Sequence, residues 1–214
     1  MTIEITDIII SIMFYAALFY FYKSHIEKNH KKVDIKEIVP NQKVNEILDD
    51  LKRIRGYNKI LTNVIVQNKK RIDILLIHET GIYIIEHKKD IGDIYGKEFY
   101  SHWIQKEKGL FGLYKKHKIP NPIKENQENV LFIKNMFRKE IPIFSYLTYK
   151  NECELNRLDY TLFKQEVRVV RRNDVSSIVR VRSLNREKVL TPEEINALYE
   201  LFYPLTELPI NITM

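Results

Sequence analysis

The sequence predicts an α/β fold, in which a central mixed sheet is flanked by helices and preceded by one transmembrane helix. Three observations lead to this prediction. Residues 71–77 and 82–89 are apolar segments separated by a short turn at Glu79 and Thr80, as expected for a β-hairpin. Helical patterns lie before and after this hairpin. Residues 8–22 contain no charged side chain, as expected for a membrane-embedded helix.

The N-terminal segment is predicted to anchor the chain in the cell membrane as a single pass. As a helix, residues 8–22 span roughly 22 Å, and residues 5–7 extend this toward the ~30 Å of a hydrocarbon core. Acidic side chains precede the segment, and four lysines follow it, namely Lys23, Lys28, Lys31 and Lys32. The positive-inside rule therefore places the N-terminus outside and the remaining domain in the cytoplasm. The alternative is that this segment is a buried helix of the globular domain.

Composition narrows the range of functions. The chain has 214 residues, a formal net charge of +7 and a single cysteine, Cys153. One cysteine cannot form an internal disulfide, which argues against a disulfide-stabilised secreted scaffold. The positive charge favours a polyanionic partner such as nucleic acid or anionic lipid. Nothing in the sequence predicts an oligomeric state.

The hairpin carries the residues of greatest chemical interest. Asp73 lies in its first strand, and Glu86 and Lys88 lie two positions apart in its second strand, so the latter two share a face. A turn at Glu79 and Thr80 pairs position 77 with 82, and the same register sets Asp73 opposite Glu86. Two opposed carboxylates repel each other unless a cation lies between them. Two carboxylates beside an ammonium suit metal-assisted hydrolysis of a phosphodiester.

A structural explanation for the same three residues remains open. Asp73 is then an edge-strand charge that prevents aggregation, and Glu86 and Lys88 mark a solvated strand end. The flanking residues are almost all apolar, however, which is typical of strands covered on both faces. A carboxylate is costly to bury unpaired in such a strand, which favours a functional site.

Several motifs in order along the chain resemble the nuclease-related (NERD) domain, which is similar to PD-(D/E)xK nucleases. The resemblance covers residues 43–137. Its motifs are NEILDDL at 45–51, TNVIV at 62–66, RIDILLI at 71–77, GIYIIEHKKDIGDIYG at 81–96, Trp103 and NPIKENQENV at 121–130. Two positions depart from the family pattern. Asn45 replaces the usual glycine, and Glu125 stands where a glutamine often follows the Asn-Pro pair, although Gln127 is close by.

The resemblance implies a PD-(D/E)xK restriction-endonuclease-like core. The expected organisation is an anchor at 1–22, a basic juxtamembrane linker at 23–40, a nuclease-like domain at 41–138 and a C-terminal α/β extension of that domain at 139–214.

The resemblance also implies residue roles. Asp73, Glu86 and Lys88 take the D and ExK positions, and Glu46 takes the acidic position on the preceding helix. Asp73 and Glu86 are expected to bind Mg²⁺ or Mn²⁺ with the backbone carbonyl of His87, and Lys88 to orient water or stabilise charge. The expected reaction is phosphodiester hydrolysis in DNA, with RNA as the alternative substrate. From its pattern alone, Glu46 is equally explained as a solvated flank of a helix.

Residues 106–118 are a candidate nucleic-acid-binding segment. Lysines alternate there with apolar and aromatic side chains, a composition suited to phosphates and stacked bases. The candidate contacts are Lys106, Lys108, Lys115 and Lys116, together with Gln127 on the following helix. Solvated lysines on a packed loop, and a structural amide at Gln127, are the alternatives.

The remaining predicted elements are helices at 42–54 and 123–138, and strands at 61–67, 100–105, 141–149 and 166–171. Asp174 is predicted to cap a short helix at 175–181. Thr191 begins a capping box for a helix ending near Phe202.

Two other functional classes remain open. The chain is then a membrane-tethered nucleic-acid-binding module that does not cut, or a scaffold whose basic segments bind anionic lipid.

Overall fold

The structure, a computed structural model, describes residues 42–66, 70–109, 113–155, 158–159 and 167–206. The predicted anchor and linker, residues 1–40, lie outside these ranges. Within them, no helix combines the length and apolar character needed to cross a membrane.

The described residues form four α-helices, nine strands and one short 3₁₀ turn. In order they are α1 (Gln42–Leu51), β1 (Asn58–Ile65), β2 (Arg71–His78), β3 (Gly81–His87), β4 (Asp93–Lys97), β5 (His102–Lys108), β6 (Tyr114–Pro120), α2 (Pro122–Asn135), β7 (Ile143–Tyr149), β8 (Leu158–Asp159), β9 (Val167–Arg171), α3 (Arg172–Leu184), α4 (Pro192–Phe202) and a 3₁₀ turn (Tyr203–Leu205).

The main sheet has the strand order β1-β2-β3-β7-β9. Strands β1, β2 and β3 pair antiparallel, whereas β3, β7 and β9 pair parallel. The prediction of an α/β fold with a central mixed sheet flanked by helices is therefore confirmed. Because β3, β7 and β9 run in one direction, their carboxyl ends meet at one edge of the sheet, where His87, Tyr149 and Arg171 lie.

The predicted hairpin and its register are confirmed. Ile77 pairs with Ile82 and His78 with Gly81, around the turn at Glu79 and Thr80. Gly81 has a φ of 137°, and a Cβ there would lie 2.4 Å from the carbonyl oxygen of Pro142. Only glycine fits this position, so it helps to end the turn at the predicted residue.

Helices cover the two faces of the main sheet with separate apolar clusters. Side chains of β3 at Ile82 and Ile84 pack in a cluster that includes Val130 and Ile133 of α2. The alternate side chains, such as Tyr83, pack with α1 and α3 in a second cluster. This two-sided burial is what the near-continuous apolar runs indicate.

A second sheet has the order β6-β5-β4-β8. Trp103 of β5 is completely buried and its indole N–H donates to the carbonyl of Lys97 at 3.0 Å. A Cβ at Gly96 would lie 2.2 Å from the Trp103 ring, so glycine permits this packing. Trp103 is thus a packing anchor between strands β4 and β5.

The start of the helix that follows β9 differs from the prediction that Asp174 caps it. Helix α3 begins at Arg172, with Arg171 as a cap residue that makes no side-chain cap bond, and Asp174 lies in the first turn. Asp174 is therefore not the cap, because the chain turns helical directly at the end of the sheet. The capping box of Thr191 and Glu194 is present as predicted.

Candidate catalytic centre and nucleic-acid-binding surface

The β2–β3 hairpin brings Asp73 to the end of β3. Ile74 pairs with Ile85, so the next position outward sets Asp73 beside Glu86. The Oδ2 of Asp73 accepts a hydrogen bond of 2.7 Å from the backbone N–H of His87. This bond holds the Asp73 carboxylate against the carboxyl end of β3.

Strand β7 positions the other side of the centre. Glu86 pairs with Leu147 and His87 with Thr148. The backbone N–H of Lys88 donates to the Thr148 carbonyl at 2.8 Å, which extends the strand contact one residue beyond β3. Glu86 and Lys88 therefore project from an ordered backbone on the same side.

Glu86 is almost completely buried, with 4% of its surface exposed. Its Oε1 accepts hydrogen bonds from Asn126 Nδ2 at 2.8 Å and Asn129 Nδ2 at 2.7 Å, both on α2. Its Oε2 accepts one from Lys88 Nζ at 3.1 Å. Three donors offset the cost of removing this carboxylate from water.

Lys88 is bound by two carboxylates. Its Nζ lies 3.1 Å from Glu86 Oε2 and 3.3 Å from Glu125 Oε2. Burial lowers the pKa of Lys88, but the two carboxylates outweigh that effect and the pKa ends above its ordinary value. Lys88 is therefore an ammonium at neutral pH.

At Asp73, burial has the largest effect on the pKa of the side chain. Burial raises the pKa of its carboxyl group, against the lowering effects of the His87 N–H and of Arg71, and the Glu86 charge raises it further. The Arg71 guanidinium is 3.6 Å from Asp73 Oδ1 and compensates the charge only in part. An additional cation near Asp73 would stabilise its ionised form.

The carboxylates of Asp73 and Glu86 fit a hard divalent cation. Asp73 Oδ1 and Glu86 Oε2 each retain acceptor capacity, and Mg²⁺ needs only one or two carboxylates when water and substrate phosphates complete its shell. In the described part of the chain, no group of three or more His, Cys, Asp or Glu side chains lies close enough to hold a metal ion. A cation here would therefore depend on water and substrate for its remaining ligands.

Helix α2 contributes three residues for which no role at the centre was predicted from the sequence. Glu125, Asn126 and Asn129 contact Lys88 or Glu86, and their spacing places them on one helical face. Gln127, a predicted nucleic-acid contact, is partly buried and makes no hydrogen bond to Glu86 or Lys88 among the described residues. Asn129 lies three residues after Asn126 and four after Glu125, and this helical spacing was the signal available in the sequence.

Two buried polar atoms near the centre lack a partner within the described residues. These are Asn126 Oδ1 and the hydroxyl of Tyr149 at the end of β7. Burial raises the pKa of Tyr149 well above its ordinary value, and the charges of Asp90, Glu125 and Glu86 add to the rise. The Tyr149 hydroxyl therefore stays protonated beside the carboxylates.

Glu46 lies apart from these contacts. Helix α1 packs over the sheet face opposite to Glu86, and the Glu46 side chain is 62% exposed. Its Oε2 is 3.5 Å from Arg172, the first residue of α3. Arg172 follows Arg171, the last residue of β9. The ion pair between Glu46 and Arg172 therefore lies beside the edge of the sheet where the parallel strands end.

The predicted nucleic-acid-binding lysines lie on the β5–β6 ribbon. Lys106 pairs with Lys116 and Lys108 with Tyr114, and residues opposed across strands share a face. Lys115 pairs with Glu107. Both side chains lie on the other face of the ribbon, which they share with Trp103 and Gln105. We call Lys106, Lys108, Lys116 and Lys118 the lysine face.

Like charges repel across the lysine face. Directly opposed lysines destabilise a strand pair. The Lys106 Nζ lies 4.0 Å from the centroid of the Tyr114 ring, which helps to hold this ammonium on the lysine face. A polyanion along the ribbon would relieve this repulsion.

Comparisons with known proteins found a matching family and a relative. The family model of the nuclease-related domain matches residues 22–150, which include every residue of the centre described above. An uncharacterised protein of Bacillus anthracis is 28% identical over 144 residues, covering 65% of this chain. The chain spans 63% of the length of that relative.

Proposed function

Because the chain belongs to the nuclease-related domain family, we propose that it is a metal-dependent nuclease that hydrolyses phosphodiester bonds in DNA. Family membership indicates a nuclease-related function with nucleic acid as the partner. The observation that supports hydrolysis is the convergence of Asp73, Glu86 and Lys88 at one end of β3.

Asp73 and Glu86 would hold Mg²⁺ or Mn²⁺, with the backbone carbonyl of His87 as a further ligand. When bound, the cation supplies Lewis-acid stabilisation of charge on the scissile phosphate. Asn126 and Asn129 orient Glu86 for this role. Both amides donate to Oε1 of Glu86, so Oε2 faces Lys88.

Lys88 acts as a cationic hydrogen-bond donor. Its raised pKa opposes a role as general base at neutral pH, because the ammonium has no lone pair to accept a proton. It would instead donate to the attacking water or to a phosphate oxygen as negative charge develops. Glu86 and Glu125 hold its Nζ in place from two sides.

Glu46 would support the catalytic centre indirectly, from the edge of the sheet beside it. Its ion pair with Arg172 connects helix α1 to the start of α3 at the edge where the parallel strands end. A change at Glu46 is therefore expected to reduce cleavage less than a change at Glu86.

The lysine face would bind the DNA backbone. Its lysines project from a paired ribbon, so their spacing is held by strand geometry. We further propose that residues 1–22 anchor the protein in the cell membrane, with the nuclease domain in the cytoplasm. Flotation of the full-length protein with vesicles, lost on deletion of residues 1–22, would test the anchor.

The decisive experiment uses the full-length protein with labelled single- and double-stranded DNA and RNA, in EDTA, Mg²⁺ or Mn²⁺. Cleavage of DNA that requires metal and disappears in Glu86→Gln supports the proposal, provided that the exposed control Glu200→Gln cuts normally. Metal-independent cleavage, or equal cleavage by both variants, contradicts it.

A second candidate is a nucleic-acid-binding module that does not cut. The observation in its favour is that both oxygens of Glu86 already accept hydrogen bonds from protein donors. Binding of DNA that depends on the lysine face, without cleavage in any metal, would favour this module over the nuclease.

A further inference from the structure

A groove lined with arginines lies between α3 and the main sheet. Its volume is about 410 Å³. Arg168 comes from β9, Arg182 lies in the last turn of α3, and Arg186 lies in the segment that follows this helix. We call these three residues the arginine groove.

The arginine groove concentrates positive charge. Among the described residues, none of its three guanidinium groups forms an ion pair with a carboxylate. Burial lowers the pKa of Arg182, the Tyr146 hydroxyl opposes that effect, and the charges of Arg168 and Arg186 lower the pKa further. Three like charges that line one groove repel each other, which is a cost to the stability of the free protein.

Aromatic rings hold the guanidinium groups in place. The Cζ of Arg182 lies 4.5 Å from the Phe144 ring centroid and 5.8 Å from that of Tyr146. The Cζ of Arg186 lies 4.6 Å from the Phe144 centroid. Stacked guanidinium groups lose little conformational freedom when they bind a ligand.

Two buried donors in this region have no acceptor within the described residues. One is Arg168 Nε–H, and the other is the hydroxyl of Tyr146, a residue that is fully buried. A guanidinium cannot accept a hydrogen bond, so Arg182 can donate to the Tyr146 oxygen but cannot receive its proton. These two donors therefore have no acceptor among the described residues, and a bound anion would supply one.

The groove is separate from the candidate catalytic centre. Phe144 and Tyr146 belong to the cluster beneath α1 and α3, whereas Glu86 is bound by α2 on the other face of the sheet. All three arginines also lie beyond residues 22–150, the stretch that matches the family.

We propose that the arginine groove binds the phosphate group of a nucleotide-sized ligand. Planar guanidinium groups bind phosphate oxygens in a bidentate manner, and several of them match a doubly charged phosphate better than a single carboxylate. Inorganic phosphate alone fills little of about 410 Å³, a volume in the range of small-molecule sites. The phosphate belongs either to a free nucleotide or to a polynucleotide end.

Calorimetric titration of the full-length protein in EDTA tests this proposal independently of cleavage. The probes are inorganic phosphate, the four nucleoside monophosphates, the matching nucleosides, and a short oligonucleotide with and without a 5′-phosphate. We expect the monophosphates to bind and the nucleosides not to bind. Binding of only the 5′-phosphorylated oligonucleotide would identify a polynucleotide end as the source of the phosphate.

Matched variants locate the binding. Arg182→Gln and Arg168→Gln should each weaken phosphate-ligand binding about tenfold or more, as expected for lost charge-assisted bonds. Tyr146→Phe keeps the buried ring, so it should fold, and should weaken binding several-fold. Arg180→Gln removes the same charge from an exposed position of the same helix and should leave binding unchanged.

Two results would overturn the proposal. One is the absence of binding by every phosphorylated probe. The other is equal weakening by Arg180→Gln and Arg182→Gln, which would indicate a general charge effect. Because Glu86→Gln leaves the groove intact, it should retain full phosphate binding even if the proposed nuclease activity fails its own test.

Discussion

Lys88 donates a hydrogen bond of 3.1 Å to Glu86, two positions earlier on the same side of the β3 strand. The pair connects the residue expected to hold a metal with the residue expected to stabilise charge on the substrate. Because Glu125 binds the same ammonium at 3.3 Å, the position of Nζ is determined by two carboxylates.

Replacement of Lys88 should remove cleavage but not binding. Lys88→Met keeps the length of the side chain and deletes the ammonium, so we expect single-turnover cleavage to fall roughly 10²–10³-fold. The measurement is rapid-quench cleavage with saturating protein. Lys134→Met, an exposed change on α2, is the control, and an equal loss in both variants would contradict the assigned role.

Asn129 should stabilise the fold through Glu86. Asn129→Leu leaves the buried Glu86 carboxylate without one of its donors, at a cost of about 1–3 kcal/mol in the free energy of unfolding. Urea denaturation measures this loss, with the exposed Asn135→Ala as control.

A double-mutant cycle then identifies the partner. In the Glu86→Gln background the cost of Asn129→Leu should shrink, because the charge that needs the donor is gone. Additive effects would show that Asn129 acts through other contacts.

Asp73 should reduce stability at neutral pH. Its pKa is raised mainly by burial, so the folded protein holds the proton more tightly than the unfolded chain. The contribution of Asp73 to stability is therefore fully present below its unfolded pKa and is lost as pH rises through its folded pKa. Asp73→Asn keeps an acceptor for the His87 N–H and should raise the urea midpoint at pH 8.

The pH dependence provides the control for Asp73. Between pH 4 and 8 the difference in midpoint between the parent protein and Asp73→Asn should grow. A midpoint that falls in Asp73→Asn at pH 8 would show that the ionised carboxylate stabilises the fold, contrary to this prediction.

The lysine face should carry a salt-dependent part of DNA affinity. Lys106→Gln and Lys116→Gln should each weaken binding and reduce the slope of log affinity against log salt by about 1. Lys115→Gln is a matched control from the other face of the same ribbon, paired with Glu107. Fluorescence anisotropy over a salt series would measure this, and equal slopes for all three variants would argue against a defined face.

The hairpin could be predicted because its information is local. A two-residue turn sets the pairing of Ile77 with Ile82, and the alternation of strand side chains then places Asp73, Glu86 and Lys88. The family resemblance drew on the same stretch of chain. The metal, the DNA substrate and the membrane anchor stay predictions.

Contacts made across the fold could not be read in the same way. Asn126 and Asn129 reach Glu86 from a helix 40 and 43 residues later, and Gln127 lies between them on a different side of that helix. Which face of α2 meets the sheet depends on how the helix packs, since helical spacing alone allows several faces. The Glu46 carboxylate binds Arg172 for the same reason, because α1 and α3 cover one face together.

The arginine groove also could not be predicted from the sequence, because it depends on tertiary packing. Arg168 is separated along the sequence from Arg182 and Arg186, and the three form a groove only because β9 passes directly into α3 and α3 folds back over Phe144. Side-chain alternation and turn chemistry act within a few residues, so they determine the hairpin and its three polar side chains. Packing of helices on a sheet acts between distant segments, and it brings together the partners of Glu86 and the arginine groove.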